Sequence, residues 1–184
     1  SVIKDRIKNH TVVVHTSGAL PSSILHAKRR LSLHPIFSFK GLPLKKGTYF
    51  GIEGEVEVGK KLVNSLGGKY LIIDPGLKFL YHAGLTFVSS YFLTLLNIGM
   101  TLLQQAKINT PEEVVFSLLT SVLENAKKFG IKEAITGPVK RGDIGIVRKE
   151  AEVLKNKSKT IASLYELLYT QLKTIINSTS CNSL

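Results

Sequence analysis

The stretch Tyr70-Leu71-Ile72-Ile73-Asp74-Pro75-Gly76-Leu77-Lys78-Phe79-Leu80-Tyr81-His82 divides the chain in two. Its first four residues form a short aromatic and aliphatic run, the composition of a buried strand. Asp-Pro-Gly then interrupts any strand ladder, and from Leu77 onward apolar residues recur at helical spacing. Strands end at this point and helices take over.

Upstream of the break the pattern alternates. Thr11 to Val14 reads as a β-branched strand that runs into the polar turn His15-Thr16-Ser17-Gly18, followed by a short helix from about Ser22 to Lys28. Leu31 to Pro35 reads as a second strand, closed by a proline that cannot continue a ladder. Thr48 to Gly54 is a third, Val56 to Leu66 a helix stopped by Gly67-Gly68, and Tyr70 to Ile73 a fourth. The βα alternation predicts an α/β domain over residues 1–76 with a mostly parallel sheet.

Downstream, residues 77–184 read as an all-α domain. Its first helix, from about Leu77 to Lys107, carries no charge between Phe79 and Ala106, a run long enough to cross a membrane. At about 100° per residue, however, Lys78, His82, Thr86, Ser89 and Asn97 share an arc of roughly 100°. A lipid-facing span has no use for such a stripe, so the expectation is a helix buried in protein, with one face lining a cleft or a partner helix. Thr110-Pro111-Glu112-Glu113 has the form of a capping box opening a helix to about Lys128, which Gly130 ends. A rigid loop around Thr136-Gly137-Pro138 follows. Asp143 is placed to cap a helix to Leu154, and a last amphipathic helix runs from Ser158 to Ile176 before a frayed tail, 177–184.

Composition sets outer limits. With 43% hydrophobic and 21% charged residues among 184, the chain can build a core and is not intrinsically disordered. One cysteine, Cys181 in the tail, excludes disulfide frameworks, Cys-based zinc sites and CxxC redox motifs and points to a reducing, cytoplasmic setting. The chain begins at Ser1 and its one methionine is Met100, while SVIKDRIKNH lacks the apolar run of a signal peptide. Twenty-five Lys and Arg against 13 Asp and Glu give a net charge of +12, which suits nucleic acid, anionic lipid or small anions alike. The basic residues come in scattered pairs without interleaved aromatics, the pattern of a solvated surface.

Four clusters are more polar than their surroundings require. His15-Thr16-Ser17-Gly18 stands at a strand end, where α/β sheets bind ligands; a simple turn explains it equally well. His34-Pro35 ends another strand on the same expected edge, and its imidazole can hydrogen-bond a ligand or titrate near neutrality. No third ligand stands at a metal-binding spacing. Lys78, His82 and Ser89 share one helical face, with Tyr81 and Ser90 beside them, so that a donor, an imidazole and a hydroxyl line one wall. Carbonyl or imine reduction needs a proton opposite the hydride acceptor, which lysine or histidine can supply; a buried histidine with two serines satisfied in the core is the simpler alternative. In Thr136 to Asp143, Arg141 can hold a carboxylate or phosphate beside a helix N-terminus.

In this order the clusters resemble a family of NAD(P)-dependent oxidoreductases that join a Rossmann-like domain to a helical C-terminal domain of unknown function. In plan the family is similar to pyrroline-5-carboxylate reductase, ketopantoate reductase and the 6-phosphogluconate dehydrogenase superfamily. The matching stretches are His15-Thr16-Ser17-Gly18, Leu33-His34-Pro35, Lys78-x-x-Tyr81-His82-Ala83 with Ser89, and Thr136-Gly137-Pro138 through Arg141-Gly142-Asp143. The resemblance implies that NADP or NAD lies over the loop of His15, Thr16, Ser17 and Gly18. It implies a small substrate between that edge and the long helix, near His34, Tyr81, Ser89, Ser90 and Arg141, with Lys78 and His82 moving the proton. It also implies a homodimer formed through the helical domain, with neither nucleic acid nor membrane as partner.

Two departures matter. The family usually has Asn where this chain has Ser90, and no G-x-G-x-x-G lies between a strand and a helix. The chain therefore reads as the last Rossmann strands plus the helical domain, binding nicotinamide cofactor weakly by itself. The same departures motivate the alternative of a non-enzymatic helical module kept for assembly. A polyanion-binding protein is a third reading, marked by steep salt dependence.

Overall fold

The computed structural model describes residues 8–178. The opening residues 1–7 and the tail 179–184, Cys181 among them, lie outside the described residues. An α/β part is followed by an all-α part, as the sequence indicates. Four strands, β1 (Val12–His15), β2 (Arg29–Pro35), β3 (Tyr49–Gly54) and β4 (Lys69–Ile72), form one sheet in the order β1-β2-β3-β4.

The sheet is mixed, which corrects the mostly parallel expectation. β1 pairs with β2 and β3 with β4 in parallel, but β2 and β3 run antiparallel, with His34 opposite Gly51 and Ser32 opposite Glu53. The physical reason lies in the connections. Helix α1 (Val56–Ser65) carries β3 back over the sheet to a parallel β4, whereas residues 36–48 hold no helix and simply turn the chain around. The expected helix at Ser22–Lys28 is also shorter, a single 3-10 turn at Ser22–Ile24.

The core of this part is Leu31, Leu33, Phe50, Ile52 and Val63, with Val12, Leu44, Val56 and Val58 packed against it. Alternate residues of β2 and β3 face α1, and Gly59 lets that helix lie close: a Cβ there would stand 2.7 Å from Ile52 Cγ2. The strand-to-helix change falls at Asp74, whose carboxylate accepts from the Gly76 N–H at 2.7 Å and opens a turn leading into α2 (Lys78–Thr86).

The long helix is continuous from Pro75 to Gln105 but not uniform. Between α2 and α3 (Phe92–Gln105), residues 87–91 form a π-helical turn. That turn delays the angular phase, so the stripe drawn at a constant 100° per residue breaks at this point. Burial also departs from expectation. Phe79, Leu80, Phe87, Val88 and Leu93 are each more than three-fifths exposed, and none of the helix's most apolar window is buried. By length and composition it is the one described helix able to cross a membrane.

The chain divides into two compact units, the first ending at Ile98 and the second starting at Gly99. The division falls within α3, and α2 is tied to the sheet by Lys78 and Tyr81. In the second unit α4 (Pro111–Phe129) leads into two short helical segments, α5 (Ile131–Ala134) and α6 (Gly137–Arg141), where a loop was expected. Helices α7 (Ile144–Lys157) and α8 (Lys159–Asn177) then pack together around Val147 and Ala162. Two expected caps are absent: neither Thr110 nor Asp143 accepts a helix N–H with its side chain, the latter being engaged by Arg141 instead. Ser158 does cap α8, accepting from the Ile161 N–H.

Candidate functional site

The first unit gathers residues from β1, β2, β3 and α2 at the carboxyl ends of β1 and β2. His34 projects from the end of β2, and its Nδ1 lies 2.7 Å from Tyr81 Oη on α2. Their rings meet edge to face, with centroids 5.8 Å apart. His82, one residue further along α2, sets its ring centroid 6.3 Å from that of His34.

Two glycines make this approach possible. A Cβ on Gly18 would stand 2.7 Å from His34 Cε1 and from His82 Cδ2, so the turn after β1 can seat both imidazoles only without a side chain there. A Cβ on Gly51 would stand 2.7 Å from Tyr81 Oη. Since Gly51 is the register partner of His34, the missing side chain on β3 is what lets the phenol reach the imidazole.

Lys78 is fully enclosed. Its ammonium donates to Ser32 Oγ at 2.8 Å and to the Ser17 carbonyl at 3.3 Å, and Ser32 Oγ in turn donates to the same carbonyl. This lysine therefore joins α2 to the middle of β2 and to the turn after β1. Burial holds its pKa below the usual lysine range, opposed by the charge of Glu53. Glu53 is itself buried, accepting from Ser22 N–H at 2.5 Å and from Ser22 Oγ at 2.8 Å. The buried lysine and the buried carboxylate each have hydrogen-bond partners, which makes their enclosure tolerable.

Electrostatics follow from this packing. Burial first, then the charges of Lys78 and His82, lowers the pKa of His34 and favours a neutral ring. Burial pushes the Tyr81 phenol up to about 12, so it keeps its proton.

The remaining sequence-selected residues separate. His15 is spent locally: its Nδ1 accepts from the Ser17 N–H at 3.1 Å and its Nε2 donates to the Pro21 carbonyl at 3.3 Å. Ser17 Oγ accepts from the Leu20 N–H, while Thr16 is exposed. Ser89 and Ser90 fall on the π turn, both exposed, and Ser89 donates to the Leu85 carbonyl. Arg141, in the second unit, is exposed and paired with Asp143 at 3.0 Å. Sequence reasoning missed Ser32, Gly51, Glu53 and Ser22. A serine between Leu31 and Leu33, and a glutamate in the run Tyr49 to Gly54, were the available signals: polar residues at the centre of otherwise buried strands.

A partly parallel sheet followed by an all-helical region defines a Rossmann-like α/β part joined to a helical part. The chain belongs to the family called "Domain of unknown function (DUF2520)", which it matches over residues 48–172. It is similar to protein TM1727 from Thermotoga maritima, with 32% identity and a TM-score of 0.76 over 90% of this chain and 68% of that one. It shares its fold with "putative NADP oxidoreductase BF3122" from Bacteroides fragilis, at 19% identity and a TM-score of 0.76, over 91% of this chain and 66% of that one. The chain thus spans about two thirds of the length of each. No curated protein sequence matches it.

Proposed function

We propose that this chain carries the substrate-facing part of an NAD(P)-dependent oxidoreductase that reduces a small carbonyl or imine compound, or runs the reverse oxidation. The observation that carries the reading is the meeting of His34 and His82 over Gly18 at the carboxyl ends of β1 and β2. Strand ends of this kind are where such sheets bind ligands. The fold shared with BF3122, named for NADP, supports the cofactor class.

The described residues fit one end of such a cofactor. The exposed Thr16 and the hydroxyl of Ser17, which can still donate, are the groups we assign to a nicotinamide amide and its ribose. Residues 1–184 hold no glycine-rich strand-to-helix turn suited to the pyrophosphate. A bound nicotinamide supplies or accepts hydride. The work of the chain is to hold the reacting carbonyl, exclude water from it and manage the proton. His82, half-buried against Gly18, is the candidate proton donor. Lys78, which the sequence offers for the same task, is enclosed and held by Ser32 and Ser17, so we assign it to positioning.

We further propose that the exposed apolar side of α2 and α3 is covered by a second copy in a homodimer. An exposed run of Phe79, Leu80, Phe87 and Val88 exceeds what a lone chain ordinarily shows to water.

Titration calorimetry of the complete gene product with NADP and NAD tests the function. Saturable binding of either supports it, and heat-silent titrations with both contradict it. The 184-residue chain alone is expected to bind weakly.

A further inference from the structure

His34 and His15 stand on neighbouring strands, and their ring nitrogens are engaged differently. His15 is fixed by two backbone partners, one donor and one acceptor. His34 has Tyr81, whose Oη approaches Nδ1, while Cε1 and Nε2 face the space that a Gly18 side chain would occupy, at 2.7 and 2.8 Å. A phenol is a stronger donor than a neutral imidazole N–H, and an imidazole nitrogen is a stronger acceptor than a phenol oxygen. The O–H to Nδ1 sense is therefore the favoured one, and a nitrogen that accepts cannot carry the ring proton.

We propose that Tyr81 is a positioning residue that fixes His34 as the Nε2–H tautomer, presenting a neutral hydrogen-bond donor beside Gly18 and His82 to a substrate carbonyl oxygen. Three features act together. Gly51 gives the phenol its place next to the imidazole. Tyr81 keeps its proton because burial raises its pKa. The charged or titratable groups facing His34 from α2 are Lys78, Tyr81 and His82, and both Lys78 and His82 oppose a second proton on the ring. The turn after β1 and strand β3 bring glycines, Gly18 and Gly51, to the same ring. A neutral imidazole polarises a carbonyl without surrendering a proton, which leaves proton transfer to His82.

The use of this N–H toward a carbonyl rests on the oxidoreductase reading; the tautomer does not. Two-bond 1H–15N correlation spectra of the histidine-labelled chain read it directly, with the His34 signals assigned from His34→Gln. The expected wild-type pattern above the His34 titration is an unprotonated Nδ1 and a protonated Nε2. In Tyr81→Phe the tautomer ratio is expected to fall by roughly fivefold, the effect of one ordinary hydrogen bond, and the titration midpoint to rise. A wild-type proton on Nδ1, an even mixture, or an unchanged ratio in a folded Tyr81→Phe overturns the proposal. If that variant does not fold, the wild-type spectrum decides alone. A clear Nε2–H pattern in a protein that binds no nicotinamide would leave the tautomer standing and remove the oxidoreductase reading.

Discussion

The two units solve the burial problem differently. In the first, the sheet and α1 enclose Leu31, Ile52 and Val63 completely, and even a lysine and a glutamate are taken inside with partners. In the second, Val147 and Ala162 are the buried apolar residues, while Phe116, Leu118, Phe129 and Ile131 stand about half exposed or more. Helix α4 has no buried residue along its 19 positions, despite a clear apolar face. An amphipathic helix gains most of its stability by covering that face. The sheet of the first unit thus closes over its own core, whereas the long helix and α4 leave apolar faces exposed.

Substitutions can break this contrast. Ile52→Ala, which empties a completely enclosed position beside α1, is expected to cost about 2–5 kcal/mol in denaturant unfolding. Phe116→Ser with Leu118→Ser in α4, where both side chains are about half exposed or more, is expected to cost far less in the same measurement. Equal costs at the two places would mean that the contrast in burial carries no energetic weight.

The pH response sharpens the picture of the first unit. His34 has its pKa lowered by burial, so at acid pH the unfolded chain binds a proton that the folded chain resists. Stability should therefore decline as pH falls below about 6.5, the ordinary histidine value, until the folded-state pKa is reached. Lys78 adds to this resistance, so Lys78→Met should raise the His34 titration midpoint in NMR. A midpoint that stays put would separate the lysine from the histidine.

The smallest expected effect lies at the end of α3. Lys107 adopts φ +63°, and the Ile108 N–H to Leu103 O and Lys107 N–H to Gln104 O bonds close a Schellman motif around it. Glycine suits this left-handed position, so Lys107→Gly should stabilise by about 0.5–1 kcal/mol in thermal unfolding.

What the sequence revealed was local. The strand runs near residues 12–15, 31–35, 49–54 and 69–72 could be read from apolar patterning, and the change at Asp74-Pro75-Gly76 from turn chemistry. His34, Tyr81 and His82 were picked for their chemistry, but the bond between His34 and Tyr81 joins residues 47 apart and depends on Gly51 across the sheet. No spacing rule reaches that far. The antiparallel turn of β2 into β3 escaped because residues 36–48 give no positive signal for which way the chain returns. The π turn escaped because Phe87-Val88-Ser89-Ser90-Tyr91 holds no proline or glycine to mark a slip in phase, and with it went the placing of Ser89. Thr110 and Asp143 show the reverse failure: favourable capping residues whose side chains the structure does not use as caps.

The central claim is that a nicotinamide cofactor and its substrate are handled where β1, β2 and α2 converge. The most direct measurement is to titrate the complete gene product with NADPH while following the side-chain resonances of His34 and His82. Saturable shifts at both, with His26 in the segment before β2 unmoved, are predicted. Tight binding that leaves both resonances unchanged, or no binding at all, would contradict the account.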